Sequence, residues 1–465
     1  MGGTILVSAT LYAWPFLLLL GFMALPARRV VLLGLLGAWM FLPVARLTLP
    51  GLPDYDKMTA TMIGLLLGTA VFASDRFITF RPSWVDLPAA VLCAAPLFSS
   101  LANGLGLYDG CASSFGAILQ WGAPYLLGRF YFNDLKNQRL LLLGLFIGGL
   151  IYVPLCLFEL RMSPQLHNWV YGYHQQSFAE GMRGGGWRPK VFMAHGLMVG
   201  MWMTTATLAG FWLWRSRSLQ GLFGVPMALL LLCLGGTAVL CKSTGALGLL
   251  LLGVGMYGAL RVAPARLLFL GLAAAIVLYL ALRATGLWDG HQLVDMAESI
   301  VGPERAASLK TRVDAEVLLA RHAMDQPVFG WGGWGRNRVS GEYGVGVITD
   351  SLWIIVFGVN GLVGLGAFLA TMLLPVLLAL WRIPPPLSRM AALAPVFCLA
   401  TLIVLWTMDC LVNYMFNPIY VLMAGALAGL PPVRVAGTEP ETPAENKRPV
   451  RKRPPDARYT LNPRP

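Results

Sequence analysis

The sequence predicts an all-α fold, a polytopic transmembrane helical bundle of about 12–13 spans with two long loops on one face. Three observations lead there. Of 465 residues, 57% are hydrophobic and only 12% charged, whereas soluble domains are about one-quarter charged. Apolar runs long enough to cross ~30 Å of hydrocarbon as helices recur from end to end. Basic residues cluster in alternate short loops between the runs. The runs must be helical, because lipid offers no partner to a free backbone amide.

In chain order the runs lie near 5–25, 30–47, 58–74, 87–102, 112–131, 140–160, 191–214, 222–241, 244–260, 267–284, 351–380, 388–408 and 415–430. The first has no basic stretch before it and no small-residue cleavage site after it, so it reads as a retained anchor. Alternate connections carry Arg28 and Arg29; Arg76 and Arg81; Arg129, Lys136 and Arg139; Arg215 and Arg217; Arg261 and Arg266; Arg382 and Arg389. With the tail, that side holds 21 of the 35 Lys and Arg. The opposite side holds 14, of which 11 sit in the two long loops, 161–190 and 283–350. Short basic loops stay in the cytoplasm. The N-terminus and both long loops are therefore expected outside, and the C-terminus inside. Residues 1–430 form the transmembrane domain. The tail, 431–465, is rich in proline and charge and is expected to be a disordered cytoplasmic segment.

The net charge of +13 follows from this topology rather than from nucleic-acid binding, because the basic residues are dispersed between apolar runs. The seven cysteines form no CxxC pair or Cys/His cluster, so no metal site and no disulfide framework is indicated.

The candidate chemistry lies in the two long loops. The first carries Arg161, Arg183, Arg188 and Lys190 among Trp169, Tyr171, Tyr173 and Trp187. Guanidinium forks match phosphate oxygens, and flat rings suit the faces of sugars. Interfacial aromatics and lipid-paired arginines give the same composition, so both readings stand. Three glycines in GMRGGGWRPK suit either close backbone approach to an anion or a plain turn. His195 follows at the mouth of the next run. Lys242, in CKSTGALG, lies on the same side, either snorkelling or meeting a phosphate.

The first half of the second loop has helical spacing and is expected to lie over the membrane face as amphipathic helices. Arg312 would open the second of these, with Thr311 as its cap. Beyond it, FGWGGWGRNR supplies Trp331 and Trp334 as stacking faces and Arg336 and Arg338 as charge. Asp350 stands at the threshold of the next span. It suits a helix cap, a partner for a loop arginine, or a general base.

These segments together resemble the O-antigen ligase and O-antigen polymerase superfamily of bacterial envelope glycan enzymes. The likeness spans roughly 110–375: YLLGRF at 125–130, the arginine-rich loop into FMAHG, STGALG, TR at 311–312, DQPVFGWGGWG at 325–335, and TDSLWIIVFGVNGLVGLGAFL at 349–369. The family pattern is an arginine, a Pro-Leu-Gly-x-Gly turn, a polar residue at a helix start, and a Gly-Leu-x-Gly-Leu step. Arg312, Pro327, Gly330 and Gly333, Asp350, and 361–365 occupy those places. Ligases of the family carry histidine where this chain has Asp350, which tilts the likeness toward a polymerase.

The resemblance implies glycosyl transfer at the periplasmic face of the bacterial inner membrane, from a polyprenyl-diphosphate-linked oligosaccharide, with no cofactor or metal. Asp350, Arg312 and Arg188 would act on the reacting groups. Arg183, His195, Lys242, Trp331, Trp334 and Arg336 would bind substrate. Membrane lipid and other envelope polysaccharide assembly proteins are the expected partners, and nucleic acid is not. Ligase-type transfer and a polytopic transporter are the competing readings.

A cysteine placed at Gly185 is expected to react with an impermeant thiol reagent added from outside, and one placed in 431–465 only after permeabilisation. The opposite labelling pattern would invert the topology.

Overall fold

A computed structural model describes residues 5–48, 54–183, 185–333, 335–339, 350–384 and 390–432. The chain is 74% helical and forms a multi-pass membrane bundle. Its helices are α1 (Ile5–Ala24), α2 (Ala27–Phe41), α3 (Lys57–Phe72), the short α4 (Asp75–Ile78), α5 (Leu87–Ala102), α6 (Leu107–Ala117), α7 (Ala123–Tyr131), α8 (Leu135–Met162), the short α9 (Leu166–Tyr171), α10 (Gly196–Arg215), α11 (Met227–Leu240), α12 (Thr244–Val262), α13 (Ala265–Ala284), α14 (His291–Val301), α15 (Pro303–Met324), α16 (Leu352–Trp381), α17 (Ala394–Asp409) and α18 (Pro418–Ala428). A π turn, Ile118–Gly122, joins α6 to α7. The strands are three two-residue hairpins, Arg46–Leu47 with Tyr55–Asp56, Met182–Arg183 with Gly186–Trp187, and Gly221–Leu222 with Val225–Pro226.

Each apolar run read from the sequence coincides with a helix. Among the described residues eight helices are long and apolar enough to cross a membrane: α1, α5, α8, α10, α12, α13, α16 and α17, with a 3-10 turn leading into α5 and α17. Shorter apolar helices α3, α11 and α18 pack among them. The centre is α10, α17 and α18, buried on nearly every face. The outer helices α1, α12 and α13 turn large apolar side chains outward, Leu20, Leu251, Leu267 and Leu278 among them. In water such a surface would drive aggregation, but against lipid it is the matched one. Gly128 and Gly425 let α7 and α18 touch backbone to backbone. A Cβ at Gly128 would meet the Leu422 carbonyl at 2.1 Å.

Helix starts follow local chemistry. Asp56 caps α3, Asp134 caps α8 and Asn417 caps α18 through side-chain oxygens. Several starts differ from the hydropathy reading, three of them for clear local reasons. The run at 191–214 becomes helix only at Gly196, because Val191 takes a left-handed φ of 50° and His195 serves as the cap. The run at 222–241 begins its helix after Pro226, the preceding residues being spent on a hairpin. The run at 415–430 becomes helix at Pro418, leaving 410–417 as a connector. The expected pair of helices is present as α14 and α15, and of the two only α14 has a pronounced apolar face. Arg312, however, lies mid-helix and not at a helix start. Gly302, at φ 86°, and Pro303 set the start of α15, while the Thr311 hydroxyl donates back to Ala307 O at 3.1 Å. Thr311 is therefore not a cap.

The glycine-rich segment before α16 has a specific structural use. α16 breaks at Gly361, with φ 63° and ψ −163°. The break frees backbone groups that hydrocarbon cannot satisfy. The turn at 327–332 supplies the partners. Leu362 N donates to Pro327 O at 2.7 Å and Val363 N to Val328 O at 3.2 Å. In return Trp331 N reaches Gly358 O at 2.8 Å and Gly332 N reaches Val359 O at 3.0 Å. Ser99 and Asn103 of α5 close the set, on Val359 O and Gly330 O, each at 2.7 Å. Gly330 (φ 71°) and Gly361 must lack side chains, since a Cβ on Gly361 would stand 2.3 Å from Val328 O.

A buried ion pair holds α15 over the bundle. Arg283, at the end of α13, meets Glu316 at 2.9 Å with both side chains 2% exposed. Arg283 also donates to Val313 O at 3.1 Å, and the Ser351 hydroxyl donates to Glu316. Removing one partner of such a pair costs about 3–5 kcal/mol, because the other is left as an uncompensated buried charge. The expected tail, 431–465, lies outside the described residues from 433 onward.

Gly361→Ala and Gly330→Ala are each expected to lower the apparent Tm of the detergent-solubilised chain, as positive φ alone costs ~1–2 kcal/mol. Gly366→Ala, on the same helix with open space at its Cβ, should be neutral. Equal Tm values for all three would mean that the exchange at the break does not stabilise the fold.

Candidate functional site

The first long loop is tied down from beneath by one carboxylate. Glu159, fully buried near the end of α8, accepts from Leu166 N at 3.0 Å, Lys190 N at 2.8 Å and Val191 N at 2.7 Å. Both ends of the loop thus converge on a single side chain. Between them, Met182–Arg183 pair with Gly186–Trp187 as a tight hairpin, and Gly185 takes a φ of 68°. Arg188 follows directly, 3% exposed. Its side chain lies across Gly196 at the start of α10, where a Cβ would sit 2.7 Å from its Cδ and Nε.

That geometry aims Arg188 into a cavity of about 440 Å³. Four cations from separate stretches of chain line it: Arg183 and Arg188 from the first loop, Lys242 from the α11–α12 turn, and Arg312 from α15. No carboxylate is among its described lining residues. Lys242 holds φ 53°, passes over Gly186 and donates from Nζ to Arg183 O at 3.0 Å. Ser243, Thr244 and Gly245, the first turn of α12, face the same space. Free amides at a helix N-terminus favour an anion there. Leu293, Met296 and Ile300 of α14 and Leu309 of α15 line the same cavity. It therefore joins positive and apolar surface.

Arg312 has several partners. Its guanidinium meets Asp350 at 3.2 Å, Asn413 Oδ1 at 3.0 Å and Val412 O at 3.3 Å. Asn413 in turn donates to Asp409 Oδ1 at 2.7 Å. Of the two structural uses open to Asp350, the structure selects pairing with a loop arginine. Ser351 is the residue at the cap position of α16, and Asp350 remains 46% exposed at the rim.

His195 sits beneath the cations with its options narrowed. Its Nδ1 accepts from Leu197 N at 2.9 Å, capping α10. Burial pushes its pKa down to about 3, and Arg188, Lys190, Arg312 and Arg183 add to the depression. A neutral ring that accepts at Nδ1 carries its proton on Nε2. Its free lone pair is therefore already engaged in the cap.

The remaining sequence candidates lie elsewhere. Trp331 donates from Nε1 to His322 O at 2.8 Å and stacks on the His322 ring, centroids 4.4 Å apart. Arg336 is exposed, and its carbonyl lies 3.1 Å from His322 Nε2. Neither lines the four-cation cavity. Trp334 lies outside the described residues. The structure adds Asn413, not singled out from sequence, and brings the start of STGALG and the apolar face of α14 to the same cavity. A polar residue between two apolar runs, as in CLVNYMFN, was the only signal for Asn413.

No family model, no curated protein and no solved structure matches the chain.

The depressed pKa of His195 makes stability pH-dependent with a definite sign. The unfolded chain binds a proton near pH 6.5, and the folded one only near 3. The contribution of the neutral ring is whole above pH 6.5 and is lost as pH falls toward 3. His195→Asn keeps a capping oxygen but cannot titrate. It should lose less Tm than the parent chain between pH 7 and pH 5. An equal loss would place the titration on other groups.

Proposed function

We propose that the chain is a glycosyltransferase of the bacterial inner membrane. It acts at the periplasmic face on a polyprenyl-diphosphate-linked oligosaccharide and polymerises the repeat units of an exopolysaccharide or O-antigen. The observation that carries this reading is the cavity shared by Arg183, Arg188, Lys242 and Arg312, with its apolar wall on α14. Four cationic side chains converge on one cavity, and only Asp350, beside Arg312, is a carboxylate seen against them among the described residues. A diphosphate offers the charge, and its prenyl chain matches the wall of Leu293, Met296 and Ile300. In this reading the N-terminus is periplasmic and the C-terminus cytoplasmic, from the distribution of Lys and Arg. The resemblance to the O-antigen ligase and polymerase superfamily points to the same chemistry.

In the reaction, a hydroxyl of the acceptor attacks the anomeric carbon of the donor. The bond from that carbon to the diphosphate oxygen breaks, and the diphosphate leaves with the electron pair. Arg188 and Arg312 oppose the developing charge in a site largely screened from water, where fixed cations act most strongly. The hydroxyl proton passes to a base. Asp350 suits that role, since it stands beside Arg312 with half its side chain open to the rim. His195 is the weaker candidate, because taking a proton at Nδ1 breaks its cap on Leu197 N. Buried charge also gathers at the loop face and not at mid-bundle, which favours an enzyme over a transporter.

Asp350→Asn keeps the shape and removes the base. Polymer formation by membranes carrying it should fall roughly 100-fold or more, the lower end of what a general base contributes, with normal insertion. Near-normal polymer would rule out the base role. Arg188→Lys and Arg312→Lys should each damage activity strongly, because a point charge does not reproduce the planar fork. Full activity in either variant would remove that residue from the phosphate site.

A further inference from the structure

A second cavity, about 540 Å³, opens on the same side of the bundle. The 410–417 connector forms a wall between the two. Val412 and Asn413 line the four-cation cavity, while Tyr414 and Phe416 line the second one. Its other walls are the start of α3, the outer half of α5, α6, the π turn and the first turns of α16. A π turn inserts an extra residue into a helix, a distortion found most often at functional sites. Here it brings both Gln120 and Trp121 into the wall.

The lining differs in kind from that of the first cavity. Asp54 and Asp56 stand against the single cation Arg46, which faces Asp56 across the β1–β2 hairpin (Arg46–Leu47 with Tyr55–Asp56). A diphosphate is repelled by that balance. Inside, Asn360 Oδ1 is buried with no hydrogen-bond partner among the described residues. Gln120 on the facing wall presents a second side-chain amide. Amides donate and accept side by side, which matches pairs of sugar hydroxyls, whereas an unmatched buried amide costs ~1–3 kcal/mol. Trp121 and Phe416, centroids 4.8 Å apart, floor the space with aromatic surface. The volume falls in the roughly 300–1,000 Å³ range of small-molecule sites.

We propose that this cavity binds uncharged sugar residues, and that it seats the glycan of the acceptor while the neighbouring cavity holds the donor diphosphate. The acceptor assignment rests on the glycosyltransferase reading; the sugar-binding assignment does not. It stands on the cavity, its two amides and its charge.

The test uses the full-length chain in nanodiscs, an array of neutral and acidic oligosaccharides with free reducing ends, and polyprenyl diphosphate as a separate probe. At least one neutral oligosaccharide should bind, and acidic ones more weakly. Gln120→Leu and Asn360→Leu should each weaken that binding by tenfold or more while leaving polyprenyl diphosphate binding unchanged. Arg188→Ala should do the reverse. Ser113→Leu, at the exposed rim of the cavity, narrows it without touching the core and replaces any variant whose Tm has fallen. Absence of neutral-sugar binding, or undiminished binding in the properly folded variants, overturns the proposal and leaves the cavity as a water-filled space. Failure of the unsubstituted chain to bind polyprenyl diphosphate, with sugar binding intact, would instead sink the glycosyltransferase reading alone.

Discussion

A backbone amide or carbonyl stranded in hydrocarbon costs several kcal/mol, and at two described places where this chain departs from helix another segment answers the loss. The exchange between 327–332 and the break at Gly361 is one such answer. Glu159 is another, a carboxylate within a helix that gathers three amides from a non-helical loop. Each device lets irregular chain rest against the end of a span without exposing bare polar groups. The loops are thereby fixed to the bundle, and the cations they carry are fixed with them. Arg188 is placed by Glu159 through Lys190, and Arg312 by the Arg283–Glu316 pair one turn further along α15.

The loop face divides its charges by neighbourhood. Arg283 is neutralised fully by Glu316, since both are out of water. Arg312 is neutralised in part, by a carboxylate half open to solvent. No carboxylate is among the described lining residues of the four-cation cavity, and Asp350 meets Arg312 beside it. Burial and pairing thus differ from one cation to the next. Counting arginines alone cannot make that distinction.

Hydropathy located the eight long apolar helices, among a larger number of runs, because its signal is local: a run of apolar residues needs no tertiary partner to declare itself. The charge of the two loops was legible for the same reason. Helix starts were less so, since Val191 and Pro226 are apolar residues that belong to turns. At the site, the sequence supplied Arg183, Arg188, Lys242 and Arg312 individually, but no pattern connects Lys242 to a loop 59 residues away. Trp331 shows the opposite case. A tryptophan in a glycine-rich loop suggests a stacking platform, and its face is instead covered by His322. Asn413 was invisible because its meaning depends on Asp409 and Arg312, which meet it only after folding.

The break at Gly361 also bears on how the protein is made. A span normally carries all its hydrogen bonds with it and can partition into the bilayer alone. α16 cannot, for the amides of Leu362 and Val363 depend on carbonyls outside the helix. Those carbonyls, on Pro327 and Val328, are synthesised earlier, as are the Ser99 and Asn103 side chains that complete the set. Every partner therefore exists before the helix leaves the ribosome. Vectorial synthesis matches the order of dependence, and the glycine-rich loop waits at the membrane surface as a template for the span that follows it.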